Sequence, residues 1–200
     1  MQFVVRRAAP ALALLVAAAP ALAGNSLIAA GQRVTVAKSA LAVTPDHEWN
    51  KLGARPGRNS EEWTFDGDGL NDLTFYGGIE NDHTLFREVS KRSKPLPHFS
   101  STMLLTDIPA LLEQSYRIAL DTPLMTITSV EPATMAGAKA VHFGYTFTRQ
   151  GEEVQRTGEA TAAIVGGKLY MITFEAPVIY FFDRDKARAQ AVVRSATLGG

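Results

Sequence analysis

His142 and Glu159 are the two side chains of this sequence best placed for acid–base chemistry. If Gln150-Gly151 is a two-residue hairpin turn, Arg149 pairs with Glu152 and, counting back along both strands, His142 faces Glu159. A carboxylate beside an imidazole orients the ring and raises its basicity, as general base catalysis requires. The same face carries Thr146, Thr157 and Thr161, and no nucleophile is identifiable beside the pair. The competing reading is a plain cross-strand polar contact, worth about 0.2–1 kcal/mol.

Asp66, Asp68 and Asp72 in the run DGDGLND offer hard oxygen ligands at alternate positions, the chemistry that Ca²⁺ selects. Counting from Asp66, however, an EF-type loop would put Leu70, Asn71 and Gly77 at its fifth, sixth and twelfth positions, where it needs a ligand, Gly and Glu. Tight-turn chemistry explains the run without an ion, and no metal is expected. His47, His83, His98 and His142 lack the close spacing of zinc ligands, although Asp82-His83 could supply two if the fold brought others near. G-x-S-x-G, G-x-x-x-x-G-K-[ST] and G-x-G-x-x-G are absent, so no nucleotide or other cofactor is expected. Trp63, Tyr76, His83 and Phe86, with Trp49 and Phe75, bracket a loop-rich N-terminal half. Aromatics beside polar loops suit a partner-binding patch, and they equally suit a core.

These residues need elements to position them. Arg33 to Ala37 alternates like a strand. Glu62 to Phe65 and Leu70 to Tyr76 read as strands around Asp66-Gly67-Asp68-Gly69, a hairpin signal because Gly accepts positive φ. Gly77 to Pro97 is long, charged and punctuated by Gly and Pro, and is expected to be the most mobile surface. A helix follows, with Thr106 as cap, Asp107 and Pro109 in its first turn, and Ile108, Leu111, Leu112, Ser115 and Tyr116 on one face.

Four strands are expected next, over Pro123 to Pro132, Val141 to Arg149, Val154 to Val165 and Leu169 to Ala176, with Gly166-Gly167 turning the last pair. Val141, Phe143, Tyr145 and Phe147 then share a face with Gly158, Ala160 and Ala162. Tyr170, Ile172 and Phe174 fall on the other face beside Ala163 and Val165. A sheet apolar on both sides needs cover on both, and two helices are available. The second helix runs from Asp183 to Ala196, with Asp183 as cap and Ala187, Ala191 and Val192 turned inward. The expectation is an α+β domain, an antiparallel β-sheet flanked by helices.

The closing unit Gly167-Lys168-Leu169-Tyr170-Met171-Ile172-Thr173-Phe174, then Phe181-Phe182 and a helix ending at Arg194-Ser195-Ala196, resembles that of the PsbP-like family. That family includes the photosystem II extrinsic PsbP subunit and the yeast Ran-binding nuclear import factor. Trp63-Thr64-Phe65-Asp66-Gly67 with Leu70 and Leu73 is similar to a pattern in uncharacterised exported proteobacterial proteins. The resemblance runs in order over most of residues 33 to 198, and implies a sheet sandwiched by helices that hosts assembly factors and binding proteins without a shared active site.

Compartment is read from the N-terminus. Arg6 and Arg7 precede an apolar run from Ala8 to Ala19, and Ala21-Leu22-Ala23 forms a small-residue cleavage site before Gly24. This is the layout of a secretory signal peptide over residues 1–23, and the run is too short to span a membrane. Residues 24–32 read as a flexible lead-in to one domain over 33–200, with no transmembrane segment in the mature chain. With no Cys, neither disulfides nor thiolate metal sites support the fold. Equal counts of 20 basic and 20 acidic residues argue against nucleic acid as a partner. The expected role is that of a periplasmic or secreted, non-catalytic binding or accessory protein of the cell envelope, working through the Gly77–Pro97 loop. The alternatives are a small hydrolase using His142 and Glu159, and a carrier of a small apolar ligand in a pocket of Phe143, Tyr145, Leu111 and Leu112.

Overall fold

The computed structural model describes residues 24–122 and 124–199, so the expected signal peptide lies outside the described residues. In chain order the strands of the first half are β1 (Ser26–Ile28), β2 (Val34–Thr35), β3 (Leu41–Val43), β4 (Trp49–Lys51), β5 (Ser60–Thr64), β6 (Asp72–Ile79), β7 (His83–Thr84) and β8 (His98–Phe99). Helix α1 (Ile108–Ala119) follows, then β9 (Thr126–Met135), β10 (Ala138–Phe147), β11 (Arg156–Val165), β12 (Lys168–Pro177), α2 (Phe181–Arg194) and β13 (Thr197–Leu198). Eight strands form one antiparallel sheet in the order β1-β4-β5-β6-β12-β11-β10-β9, and β13-β3-β2 form a second, small sheet. Ser26–Ile28, inside the stretch read as a lead-in, is thus the edge strand paired to β4.

Both faces of the large sheet are apolar, and each has its own helix. One face packs Phe143, Tyr145, Phe147, Ala160 and Ala162 against Ile108, Leu111, Leu112 and Tyr116 of α1. The other packs Trp63, Phe75, Ile172 and Phe174 against Phe182, Ala189 and Val192 of α2. The alternation in the strands and the 3.6-residue period in α1 place these residues, and burial of the two apolar faces drives the sandwich together. The expected α+β architecture is therefore the observed one.

Several local expectations are corrected. The β10–β11 strands end at Phe147 and Arg156, so the Gln150-Gly151 turn, closed by Glu152 N–H to the Arg149 carbonyl at 3.1 Å, lies inside a longer connection from Thr148 to Gln155 and is not a two-residue hairpin. The register moves by two residues: Tyr145, not Phe143, lies opposite Gly158, and His142 lies opposite Thr161. A shift of two keeps every side chain on its expected face. The Gly166-Gly167 turn does form, joining Val165 to Lys168 with φ of 59° and 74°. The Asp-Gly run widens into a loop from Phe65 to Asn71, held by Asn71, whose Oδ1 accepts the N–H groups of Phe65 and Asp66 at 2.8 and 2.9 Å.

Neither helix uses the expected cap. Asp107 precedes α1 and its carboxylate accepts the Leu104 N–H, not a helical one. Ahead of α2, Tyr180 (φ 74°, ψ −53°) centres a tight turn closed by Phe181 N–H to Ile179 C=O at 3.0 Å. Ala187 points outward, and Asp185 is buried in its stead. Within Gly77–Pro97, residues Gly77–Ile79 extend β6, while Leu85, Phe86 and Leu96 are buried against the α1 face. That segment is a strap anchored by apolar side chains. No helix of the described residues is long and apolar enough to cross a membrane.

Candidate functional site

Strand alternation sends Glu62 of β5, Asp72, Thr74 and Tyr76 of β6, and Thr173 and Glu175 of β12 to the α1 side of the sheet. Register then brings them together: Glu175 pairs with Asp72, and Glu62 with Thr74. Two carboxylates directly opposite each other repel, and burial strengthens the repulsion. Arg149 resolves it by donating through one Nη to Asp72 at 3.1 Å and to Glu175 at 3.3 Å. The Thr148–Gln155 connection is what carries Arg149 to this place. The guanidinium of Arg156, almost wholly buried, lies 3.3 Å from Asp72 and caps the Gly69 carbonyl.

The hydroxyls of Tyr116 and Tyr145 donate to the second oxygen of Glu175 at 2.8 and 3.2 Å. Burial raises both phenols well above their ordinary value, and the adjacent Glu175 charge raises them further, so both keep the proton they donate to Glu175. Asp72 also accepts the Gly69 N–H at 2.9 Å. Burial nevertheless pushes Asp72 and Glu175 upward, with Arg149 pulling each back. Among the described residues Glu62 has no such partner. Burial, then the charges of Asp72, Glu175 and Asp68, push its carboxyl up to about 8. At neutral pH Glu62 therefore holds a proton.

This polar group floors a cleft of about 900 Å³ between the strap, the C-terminal end of α1 and the loop after β10. Glu62, Asp68 and Glu175 line it, with the aromatic rings of Tyr76, Phe86 and Tyr116. Arg55, Arg87, Lys94 and Arg149 also line it, so the wall is polar and mixed in charge, with the three rings as its aromatic part, and its size suits a ligand or a partner's side chains. Carboxylate oxygens of Glu62, Asp68 and Asp72 lie within 4.8 Å of one another. Asp66, singled out in the sequence as a possible metal ligand, is instead turned to Arg184 and Asn71. Asp72 is already engaged by Gly69, Arg149 and Arg156, which leaves Glu62 and Asp68 as the open acids.

The remaining sequence candidates fall in different places. His142 Nε2 is 4.0 Å from Glu159 Oε2, while its Nδ1 shares a 3.0 Å hydrogen bond with Thr161. Glu159 accepts the Gln190 amide of α2 at 3.1 Å, and the depression around the pair holds about 180 Å³. Burial raises the Glu159 carboxyl, against Gln190 and His142. Trp63 is fully buried under α2 and donates its indole N–H to Glu61 at 2.9 Å. Tyr76 and Phe86 line the large cleft, and Phe86 also lines a neighbouring one that His83 faces. Asp82 pairs with His98 at 2.8 Å rather than with His83. Phe143, Tyr145, Leu111 and Leu112 pack against one another within the core.

Sequence reading missed Glu62, Arg149 and Glu175. The signal was present: Glu175 is a lone carboxylate inside the apolar run Leu169 to Ala176, and Asp72 opens a strand that is buried throughout. Charges in such positions are rarely tolerated without partners.

No protein-family model matches the chain. No curated protein matches it either. Among solved structures it is similar to the cyanobacterial PsbP protein CyanoP of Synechocystis sp. PCC 6803, with 17% identity, a TM-score of 0.56, and coverage of 92% of this chain and 98% of that one. A Bacteroides thetaiotaomicron protein is matched at 8% identity and a TM-score of 0.49, over 85% of this chain and 49% of that one. LpqN of Mycobacterium tuberculosis, described as involved in cell envelope biogenesis, is matched at 11% identity and a TM-score of 0.35, over 88% and 91%. The likeness to CyanoP extends over nearly the full length of both chains, and the chain has a PsbP-like fold.

Proposed function

We propose that this is an exported, non-catalytic binding protein of the cell envelope, released after Ala23, that takes a basic side chain of a partner protein into the cleft under its strap. Export rests on the basic, apolar and small-residue order of residues 1–23. The binding role rests on one observation: a large cleft lined by Tyr76, Phe86 and Tyr116 holds two acids, Glu62 and Asp68, that make no ion pair among the described residues although cations also line the cleft. An ammonium or guanidinium group entering there would take the place of the Glu62 proton and lie against aromatic rings that favour cations. The buried acids beneath, Asp72 and Glu175, are locked by arginines and tyrosines and so shape the floor. Such a rigid, pre-formed wall lowers the ordering cost of binding. Capture of a partner from envelope extract by the intact protein, compared with an Asp68→Lys variant, tests this reading.

A further inference from the structure

Adjoining the acidic cleft through Arg55, Phe86 and Arg87 lies a second cleft, of about 680 Å³, in which cations outnumber acids. Lys38, Arg55, Arg58 and Arg87 line it together with His83. Its two carboxylates are already taken: Glu80 by Lys168 at 2.7 Å, and Glu88 by Lys91 at 3.1 Å. Among the described residues, Lys38, Arg55, Arg58 and Arg87 have no carboxylate within ion-pair distance. In a chain whose charges balance overall, four such cations on one cleft leave a concentrated positive potential.

These cations come from three separate segments that tight backbone contacts hold together. Arg87 N–H donates to the Pro56 carbonyl at 2.9 Å, and Gly57 sits so close to the strap that a methyl there would lie 2.1 Å from the Leu85 oxygen. Lys38 has a left-handed backbone (φ 52°), as does Ala37 (φ 53°). That turn is seated on β6 at Gly77, where a methyl would come 2.3 Å from Ser39 Oγ and 2.9 Å from Ala37 Cβ. Non-glycine residues adopt this conformation at an energetic cost, and such positions cluster at ligand-binding sites. Ile79 and Phe86 give the cleft an apolar wall beside its cations.

We infer that the cleft formed by Lys38, Arg55, Arg58 and Arg87 is a binding site for a multiply charged phosphate-class oxyanion. The planar forks of three arginines match the geometry of phosphoryl oxygens, and Lys38 adds a point charge. The apolar wall fits an organic group attached to the phosphate, so a phosphorylated small molecule and a phospholipid headgroup share the required chemistry. The two clefts share Arg55, Phe86 and Arg87, whereas Lys38 and Arg58 line this one alone, so Arg58→Gln tests it independently of the acidic cleft.

The test is calorimetric titration of the purified protein with pyrophosphate, with Arg58→Gln, Arg87→Gln and Arg92→Gln alongside. Arg92 is exposed on the same strap but outside the cleft wall, and its loss changes net charge equally. The expected result is saturable binding, weakened about tenfold or more by Arg58→Gln and by Arg87→Gln and unchanged by Arg92→Gln. Both cleft arginines are exposed, and unchanged thermal unfolding confirms that the variants fold. Absence of binding, or equal weakening by all three substitutions, overturns the inference. Vesicles with and without phosphatidylglycerol distinguish the sources. Vesicle binding that pyrophosphate competes away assigns a lipid headgroup, and pyrophosphate binding without vesicle binding assigns a soluble phosphate.

Discussion

Asp72 and Glu175 stand directly opposite each other across β6 and β12, two buried acids on adjacent strands, and one guanidinium group, Arg149, bridges them. Removing that bridge leaves Glu175 facing Asp72 away from water, with Arg156 as the remaining cation on Asp72. Arg149→Ala is expected to destabilise the protein by about 3–5 kcal/mol, the usual loss when one partner of a buried ion pair is deleted. Adding Glu175→Gln to Arg149→Ala should restore part of the loss, because a single charge then remains. Urea unfolding of the two variants checks this, and equal stability of both would contradict the bridge.

Glu62 makes stability fall as pH rises. Its carboxyl, ordinarily near 4.5, is held at about 8 in the folded protein, so the folded state binds the proton more tightly than the unfolded chain does. Its contribution is fully present below about pH 4.5 and is lost as pH climbs through 8. Glu62→Gln cannot ionise and should be the more stable protein at pH 9, by about 1–2 kcal/mol after solvent screening at this half-buried position. Thermal unfolding of both proteins from pH 5 to 9 measures the effect; parallel curves would refute it.

The β10–β11 register has a sharp steric signature. A methyl on Gly158 would lie 2.2 Å from the Tyr145 ring, which is packed under α1. Gly158→Ala should therefore cost about 1–3 kcal/mol through overpacking. Gly151→Ala, where a methyl meets open space, should cost less, although its φ of 82° disfavours a side chain. Reversal of that order in chemical denaturation would contradict the packing of Tyr145 over Gly158.

His142 is expected to be dispensable. Its ring is 4.0 Å from Glu159, its Nδ1 is occupied by Thr161, and the acid is held by Gln190 of α2. His142→Ala and Thr148→Ala should be tolerated alike in stability, and partner capture should survive both. Loss of capture with His142→Ala alone would move the functional centre to the α2 side of the sheet.

Much of the fold was legible because periodicity is a local property. Phe143, Tyr145 and Phe147 declare one face of a strand, and Ile108, Leu111, Leu112 and Tyr116 declare one stripe of a helix. The Gly166-Gly167 turn was equally plain, since both residues need positive φ. Gln150-Gly151 carries the same local signal, yet the chain opens there into a longer loop that takes Arg149 to Asp72 and Glu175. The local turn forms, but the strands stop short of it, and nothing near residue 150 announces the long-range ion pair of Arg149. The acidic cleft was illegible for the same reason. Glu62 and Asp72 on β5 and β6 meet Glu175 only through the pairing of β6 with β12, and Arg149 joins them from a loop far off in sequence.

The most direct measurement is quantitative capture from envelope extract by the intact protein and by two charge reversals, Asp68→Lys in the cleft and Glu131→Lys on the exposed edge strand β9. The account predicts a stoichiometric partner held by the intact protein and by Glu131→Lys, and lost with Asp68→Lys. Retention of that partner by Asp68→Lys, or no partner for the intact protein, would contradict the claim that the acidic cleft is the binding site.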